Sequence, residues 1–187
     1  MGAMADLHPP VPVLLVVAAF SRHAAALDWG RTRLEETYGP VALTSPPYDF
    51  HHTAYYEREM GPGLHKCLFA FRELVEADCL PAVKLHTNAL EAQLTTTANY
   101  PEPRPLNLDP GVLSLGKFLL ATTKDQAHRI YLRDGIFAEV TLRFEAGSFE
   151  PWPWTYAAYR EPLVRDFLKE ARNYYRERLR QGDRCGP

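Results

Sequence analysis

The sequence predicts one α+β domain, and three observations carry that prediction. The chain has 187 residues, a length that suits one compact unit at roughly 100 to 200 residues per domain. Apolar runs of strand length alternate with segments of helical period. Late in the chain, two strand-like runs follow each other with only a turn between them. Hydrophobic residues make up 46% and charged residues 24%; both are near globular averages, which excludes disorder, collagen-like repeats and coiled coil.

The elements follow in order. Val13 to Phe20 is a continuous aliphatic and β-branched run, read as a buried strand. Ser21 stands as an N-cap for a helix that ends at Tyr38-Gly39, where glycine suits the position after the last turn. Val41 to Thr44 is a short strand closed by Ser45-Pro46-Pro47, and the tyrosine-rich stretch up to Gly61-Pro62-Gly63 is a loop or short helix. His65 to Phe71 reads as the next strand. Asp78 caps a helix to about Thr95, with Pro81 in its first turn, and a very short strand lies near Leu106 to Leu108. The order βαββαβ is that of a ferredoxin-like core. After it, Asp109-Pro110-Gly111 predicts a third helix with Val112, Leu115, Phe118, Leu119 and Thr122 inward. A hairpin of 127 to 132 and 136 to 144 follows, and Glu161-Pro162 opens a C-terminal helix. The domain is placed at residues 11–180, with a leader at 1–10, whose Met1-Gly2-Ala3 reads as a vector remnant before a start at Met4, and a tail at 181–187.

Hairpin register follows from side-chain alternation. A two-residue Asp134-Gly135 loop would put Arg129 and Tyr131 on the face of Ile136, Ala138, Val140 and Leu142. A three-residue loop, Arg133-Asp134-Gly135, aligns Ile130 and Leu132 with that apolar face instead. The second choice makes Arg129 the cross-strand partner of Glu139 and collects Arg129, Tyr131, Phe137, Glu139, Thr141 and Arg143 on the other side.

Charge and cysteine content exclude several functions. With 21 basic against 23 acidic side chains, the net charge is −2, without the broad positive field of a general nucleic-acid binder. Cys67, Cys79 and Cys185 show neither a disulfide framework nor zinc-thiolate spacing, and a reducing, cytoplasmic setting is expected. Val11 to Phe20 is too short to span a bilayer, so no membrane partner is expected. No nucleotide-binding P-loop and no Gly-x-Ser-x-Gly serine motif is present.

Reactive side chains are densest between Asn107 and Arg143. Lys117 and Lys124 share one stripe of the predicted third helix with Ser114. An enclosed Lys117 needs a carboxylate partner, Asp109 or Glu139, or a ligand anion. Lys124, Asp125, His128 and Arg129 lie where that helix meets the hairpin, and they suit a phosphate or carboxylate. Asp109 and Glu139 are read as general base or magnesium ligands, with salt bridge and helix cap as the structural alternatives. His128 is read either as a core histidine or as an acid/base group. Asn107, Tyr131, Thr141 and Arg143 complete the substrate-binding set on this side. In the second cluster, Tyr55 and Tyr56 are read as stacking on a planar ligand beside Glu57. His51 and His52 point in different directions and make no zinc pair. Lys84, Thr87 or Asn88, and Glu91 read as a solvated stripe.

Several separated strings resemble one family. They are Tyr55-Tyr56-Glu57 with Met60-Gly61-Pro62-Gly63, Lys84 with Thr87-Asn88, Asn107-Leu108-Asp109-Pro110-Gly111, Thr123-Lys124-Asp125 with His128 to Leu132, Gly135-Ile136, Ala138 to Leu142, and Trp154-Thr155-Tyr156. Over roughly Val11 to Leu179 they resemble the bacterial domain of unknown function DUF4416. The resemblance implies a small cytoplasmic single-domain protein and brings no established activity.

The expectation is therefore a small-molecule enzyme acting on a phosphorylated or carboxylated substrate, a nucleotide among them, by acid/base or magnesium-assisted chemistry. Lys117, Lys124 and Arg129 would hold the anion. A non-catalytic sensor of a nucleotide or similar anion is the alternative, and an RNA-associated protein using the arginine-rich last helix ranks third.

Overall fold

A computed structural model describes residues 9–50 and 56–182. The elements are β1 (Val13–Ser21), α1 (Ala24–Tyr38), β2 (Val41–Thr44), β3 (Tyr48–Asp49), α2 (Glu57–Met60), β4 (His65–Val75), α3 (Leu80–Thr97), β5 (Asn107–Leu113), β6 (Lys117–Thr122), β7 (Ile130–Arg133), β8 (Ile136–Glu145), β9 (Ser148–Pro151), α4 (Ala157–Arg160) and α5 (Pro162–Arg180). One antiparallel sheet runs β2-β4-β1-β5-β6-β8-β7, with β3 on β4 and β9 on β8. Its first four strands have the ferredoxin-like order, and the second half of the chain extends the β5 edge.

Both faces of this sheet are covered, which explains the unbroken apolar run of β1. Leu15, Val17 and Ala19 pack under α1 and α3 with Leu34, Val83 and Leu90. Leu14, Val16 and Ala18 pack against Val164, Phe167, Leu168 and Ala171 of α5. A strand buried on both sides loses the apolar and polar alternation that would mark one face. The arginines of α5 tie into the sheet side as well: Arg172 donates to the Leu115 carbonyl at 2.7 Å and lies 3.6 Å from the Phe144 ring centre.

The predicted third helix is wrong. Its residues form the hairpin of β5 and β6, which turns at Leu115-Gly116, so Lys117 opens a strand, exposed and opposite Arg143. It makes no ion pair with Asp109 or Glu139. The spacing of Val112, Leu115, Phe118 and Leu119 fits a helical period, but the run is short and buried on both faces, where periodicity cannot distinguish helix from strand. Asp109 therefore lies in a strand and caps no helix. The β5 strand is also longer than the short one expected near Leu108.

The hairpin of β7 and β8 turns through two residues and not the three chosen from the sequence, because Arg133 stays in β7 opposite Ile136. Asp134 and Gly135 both have positive φ, 55° and 75°, which is the two-residue turn that follows the strand twist. An irregularity between Tyr131 and Arg133 then restores Ile130 opposite Ala138, so Arg129 does meet Glu139. The expected apolar face does not hold, for two reasons. β7 is the edge strand with no helix over it, leaving Ile130, Tyr131 and Leu132 exposed. A second irregularity, where β6 steps from Phe118 opposite Leu142 to Leu119 opposite Val140, leaves Thr141 as the extra residue. Leu142 thereby moves to the α5 side, and Ile136 and Ala138 stay on the other.

Candidate functional site

The sheet forks at Pro110. β5 pairs with β1 from Asn107 to Leu113, but with β6 only from Gly111 to Leu113. β6 meanwhile stays with β8 through Thr122. The reason lies in the backbone. Ser114 donates its N–H to the Lys117 carbonyl at 2.9 Å, so by alternation Val112 and Pro110 also turn their nitrogens toward β6, and proline has no N–H to give. Gly111, next to it, marks the last close approach: a Cβ there would sit 2.4 Å from the Leu119 carbonyl oxygen and 2.6 Å from the Phe118 ring.

A cavity of about 450 Å³ occupies the fork. Asn107 and Asp109 line it from β5, Leu120 to Lys124 from β6 and beyond, Glu139 from β8, Lys66 from β4 and Phe20 from β1. Lys84 and Asn88 of α3 reach it from one face, Tyr156 to Tyr159 from the other, and Phe50, Tyr56, Arg104 and Arg129 complete it. Five cationic side chains thus meet two carboxylates on the lining.

Most of these charges are matched. Lys84, buried on α3, donates to the Leu108 carbonyl at 3.1 Å and lies 3.4 Å from Asp109 Oδ1. Arg104 holds Glu91 at 2.9 Å and also donates to Asn107 Oδ1. Burial holds the Glu91 carboxyl above its ordinary range, against the opposing pull of Arg104 and Lys84. Arg129 donates to Glu139 Oε2 at 3.0 Å, to the Lys124 carbonyl at 3.0 Å and to the Tyr156 hydroxyl at 2.9 Å. Glu139 further receives His128 Nε2 at 3.0 Å and the Thr141 hydroxyl at 3.3 Å.

Three polar groups on the lining are unspent. Lys66 is 2% exposed, and among the described residues its ammonium has aromatic neighbours only: Tyr159, Phe50 and Phe20, with ring centres 4.3, 5.3 and 5.6 Å away. Burial pulls this amine down to about 8 from an ordinary 10.5, while the charge of Asp109 acts the other way. Asn107 Nδ2 and the Tyr159 hydroxyl are both buried without a hydrogen-bond partner. Each of these is an unusual cost for a fold to carry.

Of the site residues expected from the sequence, Asn107, Asp109, Lys124, Arg129, Glu139 and Tyr56 border this one cavity, and so do Lys84 and Asn88 of the stripe read as solvated. His128 and Thr141 touch it only through Glu139. His128 is half-buried and stacks on Trp154, with ring centres 5.3 Å apart, so it is not a core histidine. Arg143 lies over Trp152 at 4.3 Å and pairs with Glu145; Tyr131, Asp125, Glu57 and Lys117 are exposed and off the lining. Tyr55, His51 and His52 lie outside the described residues. Lys84 and Thr87 do not form a solvated stripe: both are buried, because α3 turns them onto β5.

Magnesium between Asp109 and Glu139 does not fit these donors. Both Glu139 oxygens already accept bonds, Asp109 faces Lys84, and among the described residues no group of three or more His, Cys, Asp or Glu gathers. Cys67 is buried and its thiol is pushed up to about 12 by that burial, which leaves it unreactive. Lys66 was missed in the sequence, although it was readable there: it alternates with Leu68 and Ala70, a charge on an apolar face.

Among the described residues, no helix is long and apolar enough to cross a membrane. No curated protein matches the chain. The model of the family described as domain of unknown function (DUF4416) matches residues 11–175, and with most of its length covered the chain belongs to that family.

Proposed function

We propose that the protein is a small-molecule enzyme whose substrate carries a phosphate or carboxylate and binds in the fork between β5 and β6. The observation that carries this reading is the imbalance on the cavity wall, five cationic groups against two carboxylates, together with the unspent donors of Asn107 and Tyr159 and the ammonium of Lys66 set among rings. A bound anion would supply the missing acceptors and offset the positive excess. Lys84, Arg104, Lys124 and Arg129 surround the place for that anion. Asp109, with one ion-pair contact among the described residues, at 3.4 Å, and a side chain 29% exposed, is the carboxylate available for proton transfer; Glu139, saturated by its neighbours, positions Arg129.

One observation favours a second reading, a sensor without catalysis: nearly every ionised group on the wall already has a partner. Thermal denaturation with inorganic phosphate, malonate, sugar phosphates and nucleotides tests the common part. A saturable rise in Tm that weakens in Lys124→Ala is expected; no response to any of these anions removes both readings. Product analysis with the stabilising compound then separates enzyme from sensor.

A further inference from the structure

Two buried lysines border the cavity, and they are held in opposite ways. Lys84 rests on a carbonyl and a carboxylate, at 3.1 and 3.4 Å. Lys66 has neither. It stands among three aromatic rings, and its amine titrates near 8. At pH 7.5 that gives it a neutral fraction roughly a hundredfold or more above an ordinary lysine. Desolvation in an apolar pocket is how a lysine becomes a nucleophile near neutral pH.

Its neighbours fit the same chemistry. Phe20 of β1 is opposite Lys66 on one side and opposite Asn107 on the other, so the three side chains form a row on one face of the sheet. Asn107 brings an unspent amide donor, and the ring beneath Lys66 belongs to Tyr159, whose hydroxyl is also unspent. An amine with two unspent donors on the same cavity wall suits a carbonyl group, whose carbon would take the amine and whose oxygen would take the hydrogen bonds. Asp109, two residues along β5 on the same face, is placed to pass protons.

We propose that Lys66 is a nucleophile that forms an imine with an aldehyde or ketone whose carboxylate or phosphate is held by Lys84, Arg104 and Lys124. This rests on the anion-binding reading above. The neutral amine adds to the carbonyl carbon; a C–N bond forms while the π pair moves to oxygen, which takes up a proton as the nitrogen releases one. The resulting hydroxyl leaves as water with a second proton, and the nitrogen lone pair closes the C=N bond. Amine, carbonyl and one proton thus become a protonated imine and water, with no change of oxidation state. The rings that hold the ammonium also suit the iminium, another cation without a carboxylate beside it.

Borohydride trapping tests the inference. The whole protein is incubated at pH 7.5 with glyoxylate or glyceraldehyde 3-phosphate, reduced, and mapped by peptide mass spectrometry. The expected result is an adduct on Lys66 enriched about tenfold or more over exposed Lys117, suppressed by malonate and lost in Lys66→Met. Malonate has no ketone or aldehyde, so it reports the anion site alone. Adducts spread over surface lysines with Lys66 unmodified overturn the imine. If malonate still raises the Tm of wild type and Lys66→Met, the anion reading survives that failure; if malonate has no effect on either, both fall together.

Discussion

Replacing Lys66 by methionine should make the protein more stable at neutral pH. The residue is 2% exposed, and methionine, one heavy atom shorter, fills most of its space and removes its charge. Depression of the amine from 10.5 to about 8 means that holding the proton at pH 7 costs the folded state about 3 kcal/mol, at roughly 1.4 kcal/mol per pH unit. The sign fixes the pH window. The folded amine loses its proton near 8 and the unfolded one near 10.5, so between those values the unfolded chain binds the extra proton and wild-type stability rises with pH. Below about pH 8 both states are protonated and the penalty is complete. Lys66→Met should therefore exceed wild type by about 1 to 3 kcal/mol at pH 7, the lower figure allowing for lost contact with three rings, and the advantage should shrink toward zero by pH 10. Urea denaturation followed by circular dichroism at pH 7, 8, 9 and 10 measures the difference directly. A variant less stable than wild type at pH 7, or a gap independent of pH, would refute the reasoning that this ammonium is held at a cost.

Glu139→Gln should destabilise by about 3 kcal/mol, since it leaves the Arg129 guanidinium, 1% exposed, without its counter-charge; the double variant Arg129→Met/Glu139→Leu should recover most of that loss in the same urea titration. Gly111→Ala places a methyl 2.4 Å from a backbone oxygen and should cost about 3 kcal/mol or more, so near-wild-type stability would show that β5 and β6 do not approach as described. Lys117→Met, at an exposed strand end, should change stability by less than about 0.5 kcal/mol and leave the Tm response to malonate unchanged.

Local signals in the sequence were enough wherever one face or one turn dominated. Gly39 ends α1, Pro162 opens α5, and the run from Val13 to Phe20 is the central strand; these set the ferredoxin-like order. Arg129 beside Glu139 was expected from a three-residue loop that does not form; the pair meets because the irregularity before Arg133 restores the register such a loop would give. The extension from Asn107 to Thr122 was illegible for a physical reason. Its residues are buried on both sides, and Asp109-Pro110 has the chemistry of a helix start. Six members of the cavity wall were found because they carry reactive side chains in two short stretches of sequence, five of them near that extension. Lys66, Lys84 and Arg104 come from other strands, helices and loops, and only the sheet order brings them to the fork.

Proline inside a strand with partners on both sides is ordinarily a defect, and here it makes the cavity. β1 still pairs through Val17 opposite Pro110, so the ring leaves that edge intact and breaks only the ladder toward β6. Pro110→Ala restores an N–H on the side where Ala121 is available to accept it. The expected outcome is one further ladder pair, slow amide exchange at the restored N–H and at Ala121, and a narrower fork. Stability should rise by about 1 kcal/mol, the net worth of one hydrogen bond, while the Tm gain from malonate falls. Both changes must occur together, because closing the ladder and emptying the site are the same displacement. A variant that gains the hydrogen bond yet responds to malonate as wild type does would show that the separation of β5 and β6 is set elsewhere, by the side chains wedged between them.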